Sequence, residues 1–131
     1  MDNKFDGLDI LGEELFMDTP EGDEAWLQTQ FEIKTMLGVD QLPDLQGILF
    51  AIGLQELGQI KDEFTKEERQ DLMHIAVCRL LSYDGYYELE GYDADGWPHW
   101  RQTVVPPKGK INQELLLRRK IAEYLEHIKN S

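Results

Sequence analysis

Hydrophobic positions recur at steps of three and four through most of the chain, and that spacing predicts amphipathic helices. A first helix is expected from Pro20 to Leu37, with Trp26, Ile33 and Leu37 on its apolar face, flanked by Leu27, Phe31 and Met36. Thr19 caps it, Pro20 takes the first helical position, where its missing N–H costs nothing, and Gly38 ends it. A second helix opens at Pro43-Asp44 and carries Leu45, Ile48, Leu49, Phe50, Ile52, Leu54 and Leu57 to Gly58. It is apolar nearly all round, the mark of a helix covered on several sides. Gly47, Ala51 and Gly53 lower its helix propensity but let a neighbouring backbone come close.

Thr65-Lys66-Glu67-Glu68 is a capping box, in which the threonine hydroxyl and the glutamate carboxylate each accept a backbone N–H that the helix leaves free. It starts a third helix through Leu72, Ile75, Ala76, Val77, Leu80 and Leu81, which Asp84-Gly85 stops. After Pro106-Pro107, Asn112 is expected to cap a last helix, with Leu117, Ile121, Tyr124 and Ile128 on one face.

Between the third and last helices the pattern changes to aromatic and β-branched runs on either side of Asp95-Gly96, which predicts a β-hairpin over roughly residues 86–105. A two-residue type I′ turn at Asp95-Gly96 would set Ala94 opposite Trp97, Tyr92 opposite His99, Glu90 opposite Arg101 and Tyr87 opposite Val104. One face of the ribbon then holds Tyr87, Leu89, Trp100 and Val104 and is core-like. The other holds Glu90, Tyr92, His99, Arg101, Tyr86 and Thr103. Pro98 would fall where its missing N–H points away from the partner strand, which discourages a third strand. The fold expected is mainly α, a bundle of about four helices with one hairpin packed on it, in a single domain over residues 1–131.

Residues 1–18 alternate acids with Phe5, Leu8, Ile10, Leu11, Leu15 and Phe16; a short helix laying Leu8, Leu11 and Leu15 on the bundle is favoured over a partner-binding tail. No apolar run approaches the roughly 20 residues of a membrane span, and the first residues lack a signal-peptide pattern, so the cytoplasm is expected. A lone cysteine, Cys78, fits a reducing compartment. The formal net charge of −13 repels phosphate backbones and argues against direct nucleic-acid binding. Charge is uneven: residues 1–100 carry 23 acidic and 6 basic side chains, whereas residues 101–131 carry 3 acidic and 7 basic. The basic segment is expected to fold against acidic parts of the same chain.

Candidate chemistry is sparse. Asp71, His74 and Cys78 share a stripe of the third helix, but structural zinc wants four ligands and there is no second cluster, so no metal is assigned. Asp71 should stay near the solvated start of the helix while His74 and Cys78 pack inside as ordinary core or boundary residues. Asp93-Ala94-Asp95-Gly96 opens like a calcium loop, yet the twelfth position is Val104 instead of glutamate. Phosphate-binding loops, nucleophile elbows and HExxH are absent, and no cofactor is implied. The surface of most interest is the hairpin's outer face, where Tyr92, Trp97, His99, Glu90 and Arg101 gather aromatic, titratable and bidentate groups. A non-catalytic interaction or regulatory domain that binds a protein there, as a monomer or homodimer, is favoured. The alternative is a small enzyme or ligand-binding domain with a pocket between the hairpin and helices two and three, His99 acting with Glu56 or Glu90.

Overall fold

The computed structural model describes residues 20–59 and 61–130. In chain order the elements are α1 (Pro20–Leu37), α2 (Leu45–Leu57), α3 (Lys66–Ser82), β1 (Tyr87–Tyr92), β2 (Pro98–Gln102) and α4 (Lys110–Lys129). The chain is therefore mainly α with one two-stranded antiparallel hairpin, as the periodicity predicts. The expected Thr19 cap and the segment 1–18 lie outside the described residues. No described helix is long and apolar enough to cross a membrane.

The chain divides into two compact units, one holding α1 and α4 and the other running continuously from Pro43 to Pro107. In the first unit Trp26 and Ile33 of α1 are buried, as are Ile121, Tyr124 and Leu125 of α4. Leu27, Phe31, Met36 and Leu37 remain exposed, so the apolar face of α1 is narrower than its sequence suggests. The basic residues of α4 do meet acids of α1: Arg118 lies 3.7 Å from Asp23 and stacks on Trp26, and Lys129 pairs with Glu32. That pairing raises the Lys129 ammonium pKa.

The cap of α4 differs from expectation. The helix begins at Lys110 after Gly109, and no side chain caps it. Asn112 sits inside the first turn, where its amide donates to the Lys108 carbonyl at 3.2 Å. A residue whose side chain bonds back to an upstream carbonyl leaves the N-terminal N–H groups without a side-chain acceptor.

In the second unit α2 and α3 pack as neighbours around Ile48, Ile52, Leu72, Ile75, Ala76 and Leu80, all buried. Gly53 makes that approach possible: a Cβ there would stand 2.2 Å from the Leu72 carbonyl oxygen. Gly47 has a different role, since its amide donates to its own N-cap, Asp44, at 2.8 Å. The capping box of α3 forms as its sequence predicts, with Glu68 N–H donating to Thr65 Oγ1 at 3.0 Å and Thr65 N–H to Glu68 Oε1 at 2.8 Å. Lys61 adds an ion pair to the same glutamate at 2.7 Å, and together these hold the Glu68 carboxyl below its ordinary pKa.

The hairpin forms, but in a different register. The pairs are Tyr92 with Pro98, Gly91 with His99, Leu89 with Trp100, Glu88 with Arg101 and Tyr87 with Gln102, with an irregularity between Leu89 and Gly91 that leaves Glu90 unpaired. Asp93 is the cause at the tip. Its Oδ1 accepts from Asp95 N–H at 2.9 Å and Trp97 N–H at 3.0 Å, while Gly96 N–H donates to the Asp93 carbonyl at 3.0 Å. The turn therefore has three residues, Ala94, Asp95 and Gly96, inside an Asp93–Trp97 pair, with Gly96 at φ 86° as this loop class requires. The bulge at Glu90 then moves the register by one more residue.

Both faces largely survive the shift. Tyr87, Leu89, Gly91 and Trp100 are half-buried, and Glu88, Glu90, Tyr92, His99 and Arg101 are exposed. Val104 is corrected: it lies beyond β2 and is 55% exposed. Pro98 is buried, and its place beside Tyr92, next to the bonded Asp93–Trp97 pair, still turns its missing N–H outward.

Candidate functional site

The site is built on the hairpin and on the side of α3 that faces it. Arg79, halfway between sheet and helix chemistry, fixes their junction: its Nε donates to Glu56 Oε1 of α2 at 2.8 Å and its guanidinium lies 4.9 Å from the Trp100 ring centre. A second contact holds the tip, because Gln59 donates to the Asp95 carbonyl at 2.7 Å. His74 meets Tyr87 edge to face at 6.3 Å. These three contacts, two from α3 and one from the segment after α2, give the two-stranded ribbon a support that an isolated hairpin lacks.

Beside this junction a cleft of about 520 Å³ opens between α3 and the hairpin. Glu68, Asp71, His74 and Ile75 line it from the helix, and Asp93, Asp95, Trp97, Pro98, His99 and Trp100 from the hairpin. Four carboxylates and two imidazoles thus share a wall with two indole rings, and among the described residues no lysine or arginine lines it. The carboxylates are not equivalent. Glu68 is committed to Lys61 and the helix cap. Asp93 holds the loop amides through Oδ1 and His99 Nε2 through Oδ2 at 3.0 Å, and these bonds, His99 first, lower its pKa. The Asp71 and Asp95 carboxylates have no partner among the described residues.

Two further groups on this side of α3 bear on chemistry. Cys78 is fully buried, and burial pushes its thiol up to about 11, so it stays neutral and weakly nucleophilic. His74, expected inside, is exposed and sits 3.5 Å from the Cys78 sulfur. The difference follows from the helix: Cys78 lies toward the core with Ile75, while His74 falls at the rim of the cleft. No group of three or more His, Cys, Asp or Glu residues able to hold a metal occurs among the described residues. Trp100 Nε1 is buried without an acceptor there.

The five residues picked from the sequence separate into two places. Trp97 and His99 line the cleft. Tyr92, Glu90 and Arg101 stay on the outer face, Tyr92 63% exposed. Arg101 pairs with Glu88 at 3.0 Å, which the bulge moves opposite it, and keeps the expected ion pair with Glu90 at the longer distance of 3.8 Å. His99 turns to Asp93 instead of facing Tyr92. Glu56 is committed to Arg79, and neither it nor Glu90 lines the cleft with His99. Asp93, Asp71 and Asp95 were missed as site residues. Asp93 had a signal, since an aspartate two residues before a turn aspartate and three before glycine is a side-chain turn former.

Comparison with protein-family models gave no match, and neither curated proteins nor solved structures gave one.

Proposed function

We propose that the chain is a non-catalytic interaction domain that binds a protein partner through the hairpin and the cleft beside it. The observation that carries this reading is the aromatic display of one hairpin: Tyr92, 63% exposed on its outer face, and a cleft of about 520 Å³ lined by Trp97 and Trp100. Aromatic side chains with one polar end are the residues that dominate binding at protein interfaces. The partners that the acid-base alternative gives His99 do not join it in the cleft: Arg79 takes Glu56 and Glu90 stays outside, while the one thiol is buried and held neutral.

Selection of peptides from a random displayed library against the native chain tests the reading. Peptides that bind the native chain and lose binding to a Tyr92→Ala, Trp97→Ala double variant are expected. Selected peptides that bind both forms equally would place recognition elsewhere and refute it.

A further inference from the structure

We propose that the cleft between α3 and the hairpin takes an arginine side chain presented by an extended segment of the protein partner. This rests on the interaction reading above and names the chemistry of its central contact. The first argument is charge. Among the described residues no lysine or arginine lines the cleft, Arg79 lying over the Trp100 ring, and a cation entering it meets Asp71 and Asp95, whose carboxylates are uncommitted. Asp93 adds to them, whereas the Glu68 charge is offset by Lys61 at 2.7 Å. The net charge of −13 draws cationic segments to the chain from a distance.

The second argument is shape and surface. Trp97, Pro98 and Trp100 supply ring surfaces on which a planar guanidinium stacks, a chemistry that suits arginine better than the compact ammonium of lysine. The chain already uses this chemistry on Trp100, where Arg79 lies over the ring with its Nε on a carboxylate, which leaves Trp97 as the principal ring for an incoming guanidinium. At about 520 Å³ the cleft has room for a side chain together with the backbone that carries it.

The third argument separates a peptide from a free cation. A cleft of about 520 Å³ is larger than a guanidinium fills, and the half-buried Trp97 and Trp100 in its wall leave apolar surface for the residues that flank the arginine. A peptide covers that surface, whereas a single capped arginine leaves much of it exposed. The expected occupant is thus a segment whose arginine faces Asp71 and Asp95 and whose main chain lies along β2.

Amide-shift titration of the full-length chain tests this with three probes: a capped pentapeptide of glycine and serine around a central arginine, the same peptide with the isosteric neutral citrulline, and acetyl-arginine amide. The arginine peptide should move the amides of Asp71, His74, Asp95, Gly96, Trp97, His99 and Trp100, and citrulline should weaken binding by about tenfold or more. Acetyl-arginine amide should bind more weakly than the peptide. Asp71→Asn with Asp95→Asn should remove the preference for arginine over citrulline. If that variant does not fold, the native chain still decides, because affinity for the arginine peptide alone should fall as salt rises from about 20 to about 200 mM. Equal binding of arginine and citrulline peptides, shifts confined to other residues, no binding, or free arginine amide binding as tightly as the peptide would each overturn the inference. Library peptides that need Tyr92 and Trp97 yet contain no enriched arginine would remove this inference and leave the interaction reading standing.

Discussion

Replacing Gly53 by alanine should destabilise the chain, although the same change in an ordinary helix stabilises it. Helix propensity alone favours alanine by about 1 kcal/mol. Against that, the new Cβ would lie 2.2 Å from the Leu72 carbonyl oxygen, 2.6 Å from its carbonyl carbon and 2.9 Å from its Cβ. Carbon–oxygen contacts settle near 3.3 Å or more, so α2 and α3 would have to part by roughly 1 Å. The obstacle is backbone, which cannot swing aside as a long side chain can. A gap of that size along Ile48, Ile52, Leu72 and Ile75 forfeits about a quarter to a half of each atom contact there. Setting an overpacking cost of about 2 to 3 kcal/mol, the upper part of the usual range because the obstacle is backbone, against the propensity gain leaves a net loss of about 1 to 2 kcal/mol. Urea unfolding followed by tryptophan fluorescence measures it. Gly47→Ala is the matched control, because that glycine is exposed and its nearest neighbour is the side chain of its own cap at 3.2 Å. It should be neutral or gain up to about 1 kcal/mol. A Gly53→Ala chain as stable as Gly47→Ala would show that the close approach of α2 to α3 is wrong.

Three other outcomes follow from named groups. Thr65→Ala removes the hydroxyl that accepts the Glu68 N–H and should cost about 1 kcal/mol in the same unfolding assay, whereas Thr65→Ser should cost little. Asp93 has a lowered pKa in the folded chain, so its loop bonds contribute stability above the unfolded aspartate value, lost as pH falls through the lowered folded value; carbon-detected NMR should find Asp93 titrating below an ordinary aspartate and moving up in His99→Gln. An Asp93 that titrates normally in both chains contradicts the loop geometry. The Cys78 thiol, pushed from 9.0 to about 11, should react with an aromatic disulfide reagent at pH 8 about a hundredfold more slowly in the native chain than in urea, from its thiolate fraction alone. Similar rates in the two states would mean that Cys78 is not buried.

The helices were legible because each carries its own periodicity and punctuation. Thr65 and Glu68 announce α3 within four residues, and Asp44 caps α2 at the expected junction. Hairpin existence was equally local, but its register was decided by one side chain. Asp95-Gly96 favours a two-residue turn by composition, whereas Asp93 accepts two loop amides and draws Asp95 and Gly96 into a three-residue turn. Alternation still sorted Tyr87, Leu89 and Trp100 from Tyr92, His99 and Arg101, because the tip shift and the bulge at Glu90 leave each face with its own set. A pocket between the hairpin and helices two and three was expected under the enzyme alternative, and the cleft lies between the hairpin and α3 without α2; its acidic lining was not legible, since Asp71 of α3 and Asp95 of the turn lie far apart in sequence and come to one cavity only through the packing of the hairpin on the helix. For the same reason the sequence offered Glu56 as a partner for His99, while the fold gives it to Arg79.

The most direct measurement is the position of the strongest library-selected peptide on the native chain, read from amide-shift mapping and intermolecular contacts to the indole protons of Trp97 and Trp100. The result expected is a peptide lying along β2 with contacts to both indoles and shifts that reach Asp71 on α3. A peptide held entirely by α1 or α4, with the hairpin amides unmoved, would contradict the interaction reading at its root.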